Sequence, residues 1–379
     1  MTPPPSTIRG RHILVTGGAG YLGSMLVPAL LGQGYEVSVV DLCIFGDDAL
    51  QPVADHPHLH IYKEDIRELD RFSSLLRNID VVIHLASISN DPTSDLDPDL
   101  TISTNYLATT ALARWARAQE VQQFIFSSSC SVYGASTGRL LDELSHTGPI
   151  TLYALTKLAS ERELLELSSN DFRVTVLRFS TLFGLSRRMR FDLAINAMAK
   201  SGIDGKNLVV NGAGTQYRPF VHLLDAADAI LDVLRAEPSV VRGQTFNVGG
   251  DHLNFTIQGL AEEVQKAFPD IAIDHATANV DVRSYQVRFQ KIVDALGFKP
   301  RRGVLDGVEE IKRAAESGVL GSMDDKRYYN LAVMKESSDT KKESRWSVVS
   351  SPKDNTSTAK SPAPRRGKSL ITIGQTHDE

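Results

Sequence analysis

Cysteine is scarce in this sequence: its 379 residues include only two, Cys43 and Cys130. Two thiols cannot form a disulfide framework, and these two do not form a CxxC metal-binding pair. Free cysteines are among the residues most often found in protein interiors. We therefore predict two buried thiols and no metal site.

Long apolar runs and a strong net charge are also missing. No uninterrupted apolar stretch approaches the roughly 18 residues that indicate a membrane span. The proline-rich start, MTPPPSTIRG, contains no apolar segment of the kind found in secretory signals. The formal charge of −5 gives no general attraction to nucleic acid or to anionic membranes. The expectation is a soluble, cytoplasmic protein without a nucleic-acid or membrane partner.

What the sequence does contain is a regular alternation of strand-like and helix-like stretches. Apolar runs rich in β-branched residues occur at 12–17, 35–42, 80–86, 123–129 and 173–180. Helical composition and spacing occur between such runs, as at 104–120 and 153–169. Strands that alternate with helices predict an α/β fold with a doubly wound parallel sheet of the Rossmann type, covered on both faces.

The chain divides into three regions. Residues 10–184 hold this alternation and form the predicted nucleotide-binding domain. Residues 185–334 are more mixed, with turn signals at 211–214 and 249–250, which predicts a smaller α/β lobe for the substrate. In residues 335–379 apolar side chains are too sparse to offset chain entropy, so this segment is predicted to be a disordered tail.

The first motif with a chemical meaning is TGGAGYLGS, between the first strand and a helix. Gly17, Gly20 and Gly23 suit the tight turn, the close approach of a pyrophosphate and the close helix packing that a dinucleotide site requires. Asp41 follows at the end of the second strand, where a carboxylate can bind the adenosine ribose. No arginine or lysine lies between Asp41 and Lys63 to hold a 2′-phosphate, which favours NAD over NADP.

The second motif is YALTK, near the start of a predicted helix. Its Tyr153 and Lys157 are four residues apart and so lie on nearly the same helix face. A neighbouring ammonium favours tyrosinate and lowers the pKa of the phenol from about 10. Such a phenol can exchange a proton with a sugar or alcohol hydroxyl near neutral pH. Because the motif follows a nucleotide loop and the serine-rich strand end SSSCSVYG, we predict a catalytic pair.

Taken in order, TGGAGYLGS, KEDIRE, HLAS, TNYLATT, SSSCSVYG, YALTK and RPFVHLLDAADA resemble the motifs of the extended short-chain dehydrogenase/reductases. The chain is most similar to their nucleotide-sugar epimerase/dehydratase branch, of the UDP-glucose 4-epimerase type, over roughly residues 10–330. This resemblance implies NAD as cofactor and a catalytic set of Ser129, Tyr153 and Lys157. The NAD contacts that it implies are Gly17, Gly20, Tyr21, Leu22, Gly23, Asp41, Asp65, Ile66, Leu85, Ala86, Ser87, Asn105, Tyr153 and Lys157.

The resemblance further implies a 4-epimerase acting on a nucleotide-diphosphate sugar. Tyr153 would take the proton of the sugar 4-hydroxyl as hydride passes to NAD, and Ser129 would hold the same oxygen. The keto sugar would then turn and take the hydride back on its other face. The implied substrate contacts are Ser129, Tyr153, Thr181, Asn196, Arg218 and Arg283. Arg218 matches a family arginine that pairs with a diphosphate, whereas Thr181 stands where the family has asparagine.

The residues after Ser129 discriminate among the reactions of this branch. Family 4,6-dehydratases carry an Asp-Glu pair there, whereas this chain has Cys130 and Ser131, which disfavours dehydration. A nucleotide-sugar 4-ketoreductase or dehydrogenase and a uronic-acid decarboxylase stay open because they use the same triad. The alternative of another class is a non-catalytic NAD-binding sensor or scaffold protein, against which the intact triad argues.

Two predicted helices, 104–118 and 153–168, carry more apolar residues than one sheet face covers. In the family the corresponding helices meet their twins in a four-helix dimer. The resemblance therefore implies a homodimer, and the alternative is an ordinary stripe that faces the core.

Overall fold

The structure, a computed structural model, describes residues 11–136, 138–277 and 283–336. Its strands are β1 (His12–Thr16), β2 (Glu36–Asp41), β3 (Leu59–Lys63), β4 (Val81–His84), β5 (Gln123–Ser129), β6 (Leu140–Leu141), β7 (Arg173–Phe179), β8 (Thr181–Phe183), β9 (Leu208–Asn211), β10 (Tyr217–His222), β11 (Gln244–Val248), β12 (Asn254–Thr256), β13 (Ile273–Ala276) and β14 (Gln286–Val287).

The α-helices of the same residues are α1 (Gly23–Gly32), α2 (Asp91–Ser94), α3 (Pro98–Ile102), α4 (Thr109–Ala118), α5 (Leu152–Leu167), α6 (Ala194–Ile203), α7 (Leu223–Arg235), α8 (Pro238–Val241), α9 (Ile257–Gln265), α10 (Gln290–Leu296) and α11 (Val304–Glu316). A π-helical turn, Ser103–Ala108, joins α3 to α4. The start of α5 is fixed by Thr151, whose Oγ1 accepts a hydrogen bond from the backbone N–H of Ala154 at 3.3 Å.

Seven strands of the described chain form one parallel sheet in the order β11-β7-β5-β4-β1-β2-β3. The chain runs outward from β1 to β3, returns to β4 and then continues outward on the other side. The order therefore reverses between β1 and β4. In open α/β sheets, ligands bind outside the carboxyl ends of the strands at such a point. The predicted doubly wound Rossmann-type fold is confirmed.

The sheet is buried on both faces because successive side chains of each strand enter different cores. Ile13 and Val15 of β1 pack into one apolar cluster, whereas Leu14 between them packs into the other. In β5, Ile125 belongs to the first cluster and Phe124 to the second. Strand side chains alternate between faces, so a sheet covered on both sides needs nearly continuous apolar strands.

The later part of the chain adds smaller sheets beside this core. One has the order β12-β10-β8, and β9 pairs with β13. Helix α6 packs against α9 and α11. Strand β14 pairs with β6, so the two predicted domains share a short sheet, and their division at residue 184 stays a prediction.

Two sequence predictions concern the ends of the chain and membranes. Lys335 and Glu336 are helical, and residues 337–379 of the predicted tail lie outside the described residues. No helix in the described part of the chain combines the length and the apolarity needed to cross a membrane. The cytoplasmic location stays a prediction.

Candidate active site

The glycine loop after β1 is shaped by backbone contacts that leave no room for side chains. Gly17 has a φ of +75°, and a Cβ there would lie 2.6 Å from the backbone N of Ala86. A Cβ on Gly23 would lie 2.3 Å from the carbonyl oxygen of Gly17. A Cβ on Gly20, by contrast, would meet only that same oxygen, at 3.1 Å, among the described atoms beyond its chain neighbours. The loop is thus packed on its inner side and open at Gly20, as a pyrophosphate requires.

Asp41, at the end of β2, is hydrogen-bonded to the glycine loop. Its Oδ2 accepts a hydrogen bond from the N–H of Ala19 at 3.0 Å, and its Oδ1 accepts one from the N–H of Cys43 at 2.8 Å. Burial raises the pKa of Asp41, and these two backbone bonds oppose the rise. The carboxylate is therefore fixed at the end of β2, beside the glycine loop, where the sequence placed the ribose contact.

The remaining predicted cofactor residues lie along the same edge of the sheet. Leu85 donates its N–H to the carbonyl of Thr16 at 3.0 Å, which joins the ends of β4 and β1. Ile66 is buried in the core. The carboxylate of Asp65 is held by Arg67, whose Nη2 lies 2.5 Å from its Oδ2.

Asn105 holds the loop that follows β4. It lies in the π-helical turn, and its Oδ1 accepts hydrogen bonds from the N–H of Ile88 at 2.7 Å and from the hydroxyl of Ser87 at 3.1 Å. Its Nδ2 donates to the carbonyl of Ile88 at 3.0 Å. Asn105 thereby orders the strand-end loop that the resemblance assigns to the cofactor.

Ser129 and Tyr153 meet at the carboxyl end of β5. Ser129 is the last residue of this strand and is partly exposed, whereas its neighbours Ser128 and Cys130 are buried. Tyr153, in the first turn of α5, lies close enough to Ser129 for that side chain to lower the pKa of the phenol. Ser129, the predicted catalytic serine, is thus partly exposed at the strand end near Tyr153.

Lys157 lies one turn further along α5 and is buried. Its Nζ donates to the carbonyl of Ser127 at 2.7 Å and lies 5.8 Å from the centre of the Tyr153 ring. Burial lowers the pKa of Lys157 to about 7, and the nearby Glu161 opposes this. The ammonium is thus anchored to the catalytic strand beneath the tyrosine.

The pKa of Tyr153 differs from the sequence prediction. Burial raises it to about 12, and the carboxylate of Asp91 raises it further. Arg190 and the Ser129 hydrogen bond lower it. We predicted that Lys157 would lower this pKa below 10; in the structure desolvation dominates, and the cation that lowers it is an arginine distant in sequence.

Arg190 and Asp91 are site residues that the sequence did not reveal. Arg190 is buried; its Nε and Nη2 contact the two oxygens of Asp192 at 2.9 and 2.7 Å, and its Nη1 donates to the hydroxyl of Ser89 at 3.2 Å. Asp91, at the start of α2, pairs with Arg283. No motif marked them, because they come together only when the loop after β4 meets the segment after β8.

The predicted substrate residues fall into two groups. Arg218 and Arg283 lie together, since Nη1 of Arg218 donates to the carbonyl of Arg283. Thr181 in β8 pairs with Phe220 in β10, the strand that carries Arg218. Asn196 is fully buried.

The side-chain amide of Asn196 forms its hydrogen bonds with other groups of the protein. Its Oδ1 accepts from the N–H of Gly184 at 3.1 Å, and its Nδ2 donates to the Tyr21 hydroxyl at 2.9 Å and to the Arg190 carbonyl at 2.8 Å. These bonds use its capacity to order the segment after β8, so we do not assign it a substrate contact. In β10, His222 is a buried, hydrogen-bonded histidine: its Nε2 lies 2.7 Å from Oε1 of Glu310.

A buried ion pair supports the end of β5. Glu161 in α5 receives three hydrogen bonds from Arg178 in β7, at 3.0, 3.1 and 2.7 Å, and a further one from the hydroxyl of Ser128. Nη1 of Arg178 also donates to the hydroxyl of Tyr133 at 3.0 Å. The network joins the helix of Tyr153 to the strand of Ser129 and was not predicted.

The two cysteines differ in exposure. Cys130 is buried as predicted, with a thiol pKa that burial raises to about 12. Cys43 is only partly buried, because it lies in the turn after β2 with a φ of +53°. Burial raises its thiol pKa to about 11. Neither thiol is activated as a nucleophile.

Known proteins share both the sequence and the fold. The model of the NAD dependent epimerase/dehydratase family matches residues 13–249. An uncharacterized UDP-glucose epimerase of Bacillus subtilis, YtcB, is 31% identical over 255 residues, which are 63% of this chain and 76% of that protein.

Two solved structures superpose over most of the described chain. The dTDP-glucose 4,6-dehydratase DesIV from Streptomyces venezuelae, with NAD and TYD bound, has a TM-score of 0.73 and 26% identity and covers 82% of this chain and 98% of its own. The UDP-glucuronic acid 4-epimerase from Bacillus cereus, in complex with UDP-glucuronic acid and NAD, has a TM-score of 0.71 and 27% identity and covers 81% and 99%.

Proposed function

The chain belongs to the NAD dependent epimerase/dehydratase family, with NAD as its cofactor, and we propose that it is a nucleotide-sugar 4-epimerase. The observation that carries the proposal is that Ser129 and Tyr153 come together at the end of β5, close to the reversal of strand order. Cys130 and Ser131 follow where a dehydratase of this family carries carboxylates. That strand end can therefore hold and deprotonate a hydroxyl but offers no acid for elimination.

We place NAD over the glycine loop, with its adenosine ribose at Asp41. When bound, NAD takes up and returns the C4 hydride, and its oxidised ring brings positive charge to the catalytic residues. The chain would hold it through the strand-end residues Gly17, Gly20, Tyr21, Leu22, Gly23, Asp41, Asp65, Ile66, Leu85, Ala86 and Ser87. The hydroxyl of Tyr21 donates to the carbonyl of Gly184 at 2.7 Å, so its part is to fix the loop.

Tyr153 would move the proton of the sugar 4-hydroxyl, and Ser129 would hold the same oxygen. With a pKa of about 12, the phenol ionises near neutral pH only where positive charge and hydrogen bonds stabilise its anion. Arg190 and Ser129 already act in that direction. Lys157, with a pKa of about 7, can exchange a proton near neutrality.

Arg218 and Arg283 suit the diphosphate of the substrate. Guanidinium groups suit phosphate oxygens because their planar donors can bind two oxygens at once, and the Arg218 guanidinium lies against the backbone of Arg283. Thr181, on the strand next to that of Arg218, is the third proposed contact. With Ser129 and Tyr153 at the sugar, these residues span a nucleotide-diphosphate sugar from phosphate to C4.

A panel of UDP-, GDP-, dTDP- and CDP-sugars, incubated with the protein with and without added NAD, tests the proposal. We expect one sugar to be converted to its C4 epimer, in both directions and without net NADH. Separation of the products by chromatography gives the result. Net NADH formation would instead identify a dehydrogenase, loss of carbon dioxide a decarboxylase, and bound NAD without turnover a sensor.

Asp91 favours a second candidate, a 4,6-dehydratase. Its carboxylate raises the pKa of Tyr153, and among the described groups its Oδ1 has no hydrogen-bond partner although it is buried. A carboxylate here can supply the acid or base that elimination of water requires and that Cys130 and Ser131 do not. If a keto sugar accumulates in the panel and an Asp91→Asn variant no longer forms it, the protein is a 4,6-dehydratase and not an epimerase.

We also propose a homodimer through a four-helix bundle. The π-helical turn with α4, and α5 beside it, turn Leu112, Leu158 and Leu164 into the core. Their outer surface still carries apolar side chains: Leu107 is 54% exposed, Trp115 43% and Leu155 49%. A second copy of the same two helices would cover them.

Replacing Leu107 and Leu155 together with glutamate should turn this dimer into a monomer, because charges in an apolar interface stay unpaired. Light scattering at micromolar concentration measures the mass. Leu144→Glu is the control, because Leu144 is 95% exposed and lies outside these helices, in the segment between β6 and α5. A wild-type protein that is already monomeric would contradict the proposal.

A further inference from the structure

Arg188 lies in the segment between β8 and α6 and is 5% exposed. Its guanidinium carbon lies 3.9 Å from the centre of the Phe45 ring, so the cation stacks on the aromatic face. Its Nη2 donates to Oδ1 of Asn330. Its Nε is buried, and among the described residues it has no hydrogen-bond partner. A buried N–H of a guanidinium without an acceptor is costly, which points to an acceptor supplied by a ligand.

The nearby Asp41, the predicted contact of the adenosine ribose, indicates which ligand Arg188 would bind. Phe45 belongs to the turn that follows Asp41 at the end of β2. Burial and the neighbouring Arg190 lower the pKa of Arg188 to about 9, and the carboxylates of Asp192 and Asp41 act against this. The arginine thus lies at the end of the cofactor site that receives the adenosine ribose.

The glycine loop itself fixes the segment that carries Arg188. The hydroxyl of Tyr21 donates to the carbonyl of Gly184 at 2.7 Å. The hydroxyl of Ser186 donates to the carbonyl of Tyr21 at 2.8 Å and lies 2.9 Å from the hydroxyl of Ser24 at the start of α1. The arginine is therefore held against the dinucleotide loop and is not a side chain of a free surface segment.

We propose that Arg188 is a cofactor-binding residue that donates a hydrogen bond from its buried Nε to the adenosine ribose of NAD, opposite Asp41. The cofactor would then be held from two sides, by the end of β2 and by the segment after β8. Binding from two sides suits a reaction in which NAD is regenerated while it stays bound to the enzyme. The inference depends on NAD as cofactor and holds whichever sugar reaction the protein catalyses.

A 2′-phosphate is the other group that an arginine at this place could bind. The carboxylate of Asp41 argues against it, because both of its oxygens are held by the backbone N–H groups of Ala19 and Cys43. A carboxylate held in this way would repel a phosphate bound beside it, because like charges repel. We therefore assign the ribose hydroxyls of NAD as the acceptor.

The test is cofactor binding to the purified full-length chain after removal of bound nucleotide. Calorimetric titration with NAD, ADP-ribose and NADP compares the wild type with Arg188→Met. We expect the variant to bind NAD and ADP-ribose roughly ten- to a hundredfold more weakly, as for loss of one charge-assisted hydrogen bond. Arg187→Met is the matched control, because Arg187 is the adjacent arginine and is exposed; its affinities should equal those of the wild type.

Two outcomes would overturn the assignment. One is an Arg188→Met protein that binds NAD as tightly as the Arg187→Met control. The other is a wild type that prefers NADP, with the variant weakened toward NADP alone, which would make Arg188 a 2′-phosphate ligand. If Arg188→Met does not fold, Arg188→Lys keeps the charge but loses the planar donors, and unchanged NAD binding by that folded variant would equally refute the proposal.

Discussion

A Tyr153→Phe variant is expected to lose turnover by roughly 10²–10⁴-fold, the usual contribution of a positioned acid or base. The change removes only the phenolic hydroxyl near Ser129, and it leaves the ring beside Lys157. NAD affinity should stay close to that of the wild type, because the glycine loop and Asp41 are untouched. Initial rates with the sugar found in the panel, together with calorimetric NAD binding, give the two quantities.

The control for this prediction is the same chemical change at another tyrosine. Tyr106 lies in the π-helical turn before α4, and its hydroxyl donates to Oε1 of Glu163 at 3.3 Å. Tyr106→Phe should therefore keep the rate. If Tyr153→Phe also kept the full rate, Tyr153 would not be the group that moves the proton, and the assigned triad would be wrong.

Glu161→Gln is expected to lower the free energy of unfolding by about 3–5 kcal/mol, as when one partner of a buried ion pair is removed. Arg178 would keep its charge in the core without a counter-charge, because burial lowers its pKa while Glu161 is what raises it above the usual value. Urea unfolding at a fixed NAD concentration measures the change. Since the hydroxyl of Ser128 donates to Glu161, the loss should also loosen the end of β5 next to Ser129.

Helix α5 supplies its own control two residues further on. Glu163 forms an ion pair with Arg114 at 2.9 Å, and the arginine is 64% exposed. Glu163→Gln should cost less than about 1 kcal/mol, as is typical of exposed pairs. Equal losses in the two variants would show that the Glu161 pair contributes nothing beyond a surface contact. A double variant with Arg178→Met should recover part of the Glu161→Gln loss, because it removes the unpaired charge.

Much of the fold and part of the site could be predicted because their signals are local. A glycine loop needs a Cβ-free backbone at Gly17 and Gly23, and any sequence that builds this turn displays them. Tyr153 and Lys157 follow from helix geometry, which fixes the relation of residues four apart. Ser129 was assigned from the resemblance of SSSCSVYG to a family motif, and in the structure it is the last residue of β5.

The residues that were missed act across long separations. Arg190 lowers the pKa of Tyr153, Asp91 raises it, and Arg188 stacks on Phe45 in the turn after Asp41. The sequence argument for NAD over NADP considered only the residues between Asp41 and Lys63, where no arginine or lysine occurs. It could not include Arg188, because that arginine reaches the ribose site from the segment after β8.

The sequence by itself determined the doubly wound sheet, the dinucleotide loop and the alignment of Tyr153 with Lys157, because periodicity and glycine spacing act within a few neighbouring residues. Only the tertiary structure decided which charges surround the tyrosine and the ribose site, and that the pKa of Tyr153 is raised. Desolvation and Coulomb interactions depend on burial and on distance through space. Those two quantities exist only once the segments after β2, β4 and β8 have been brought together.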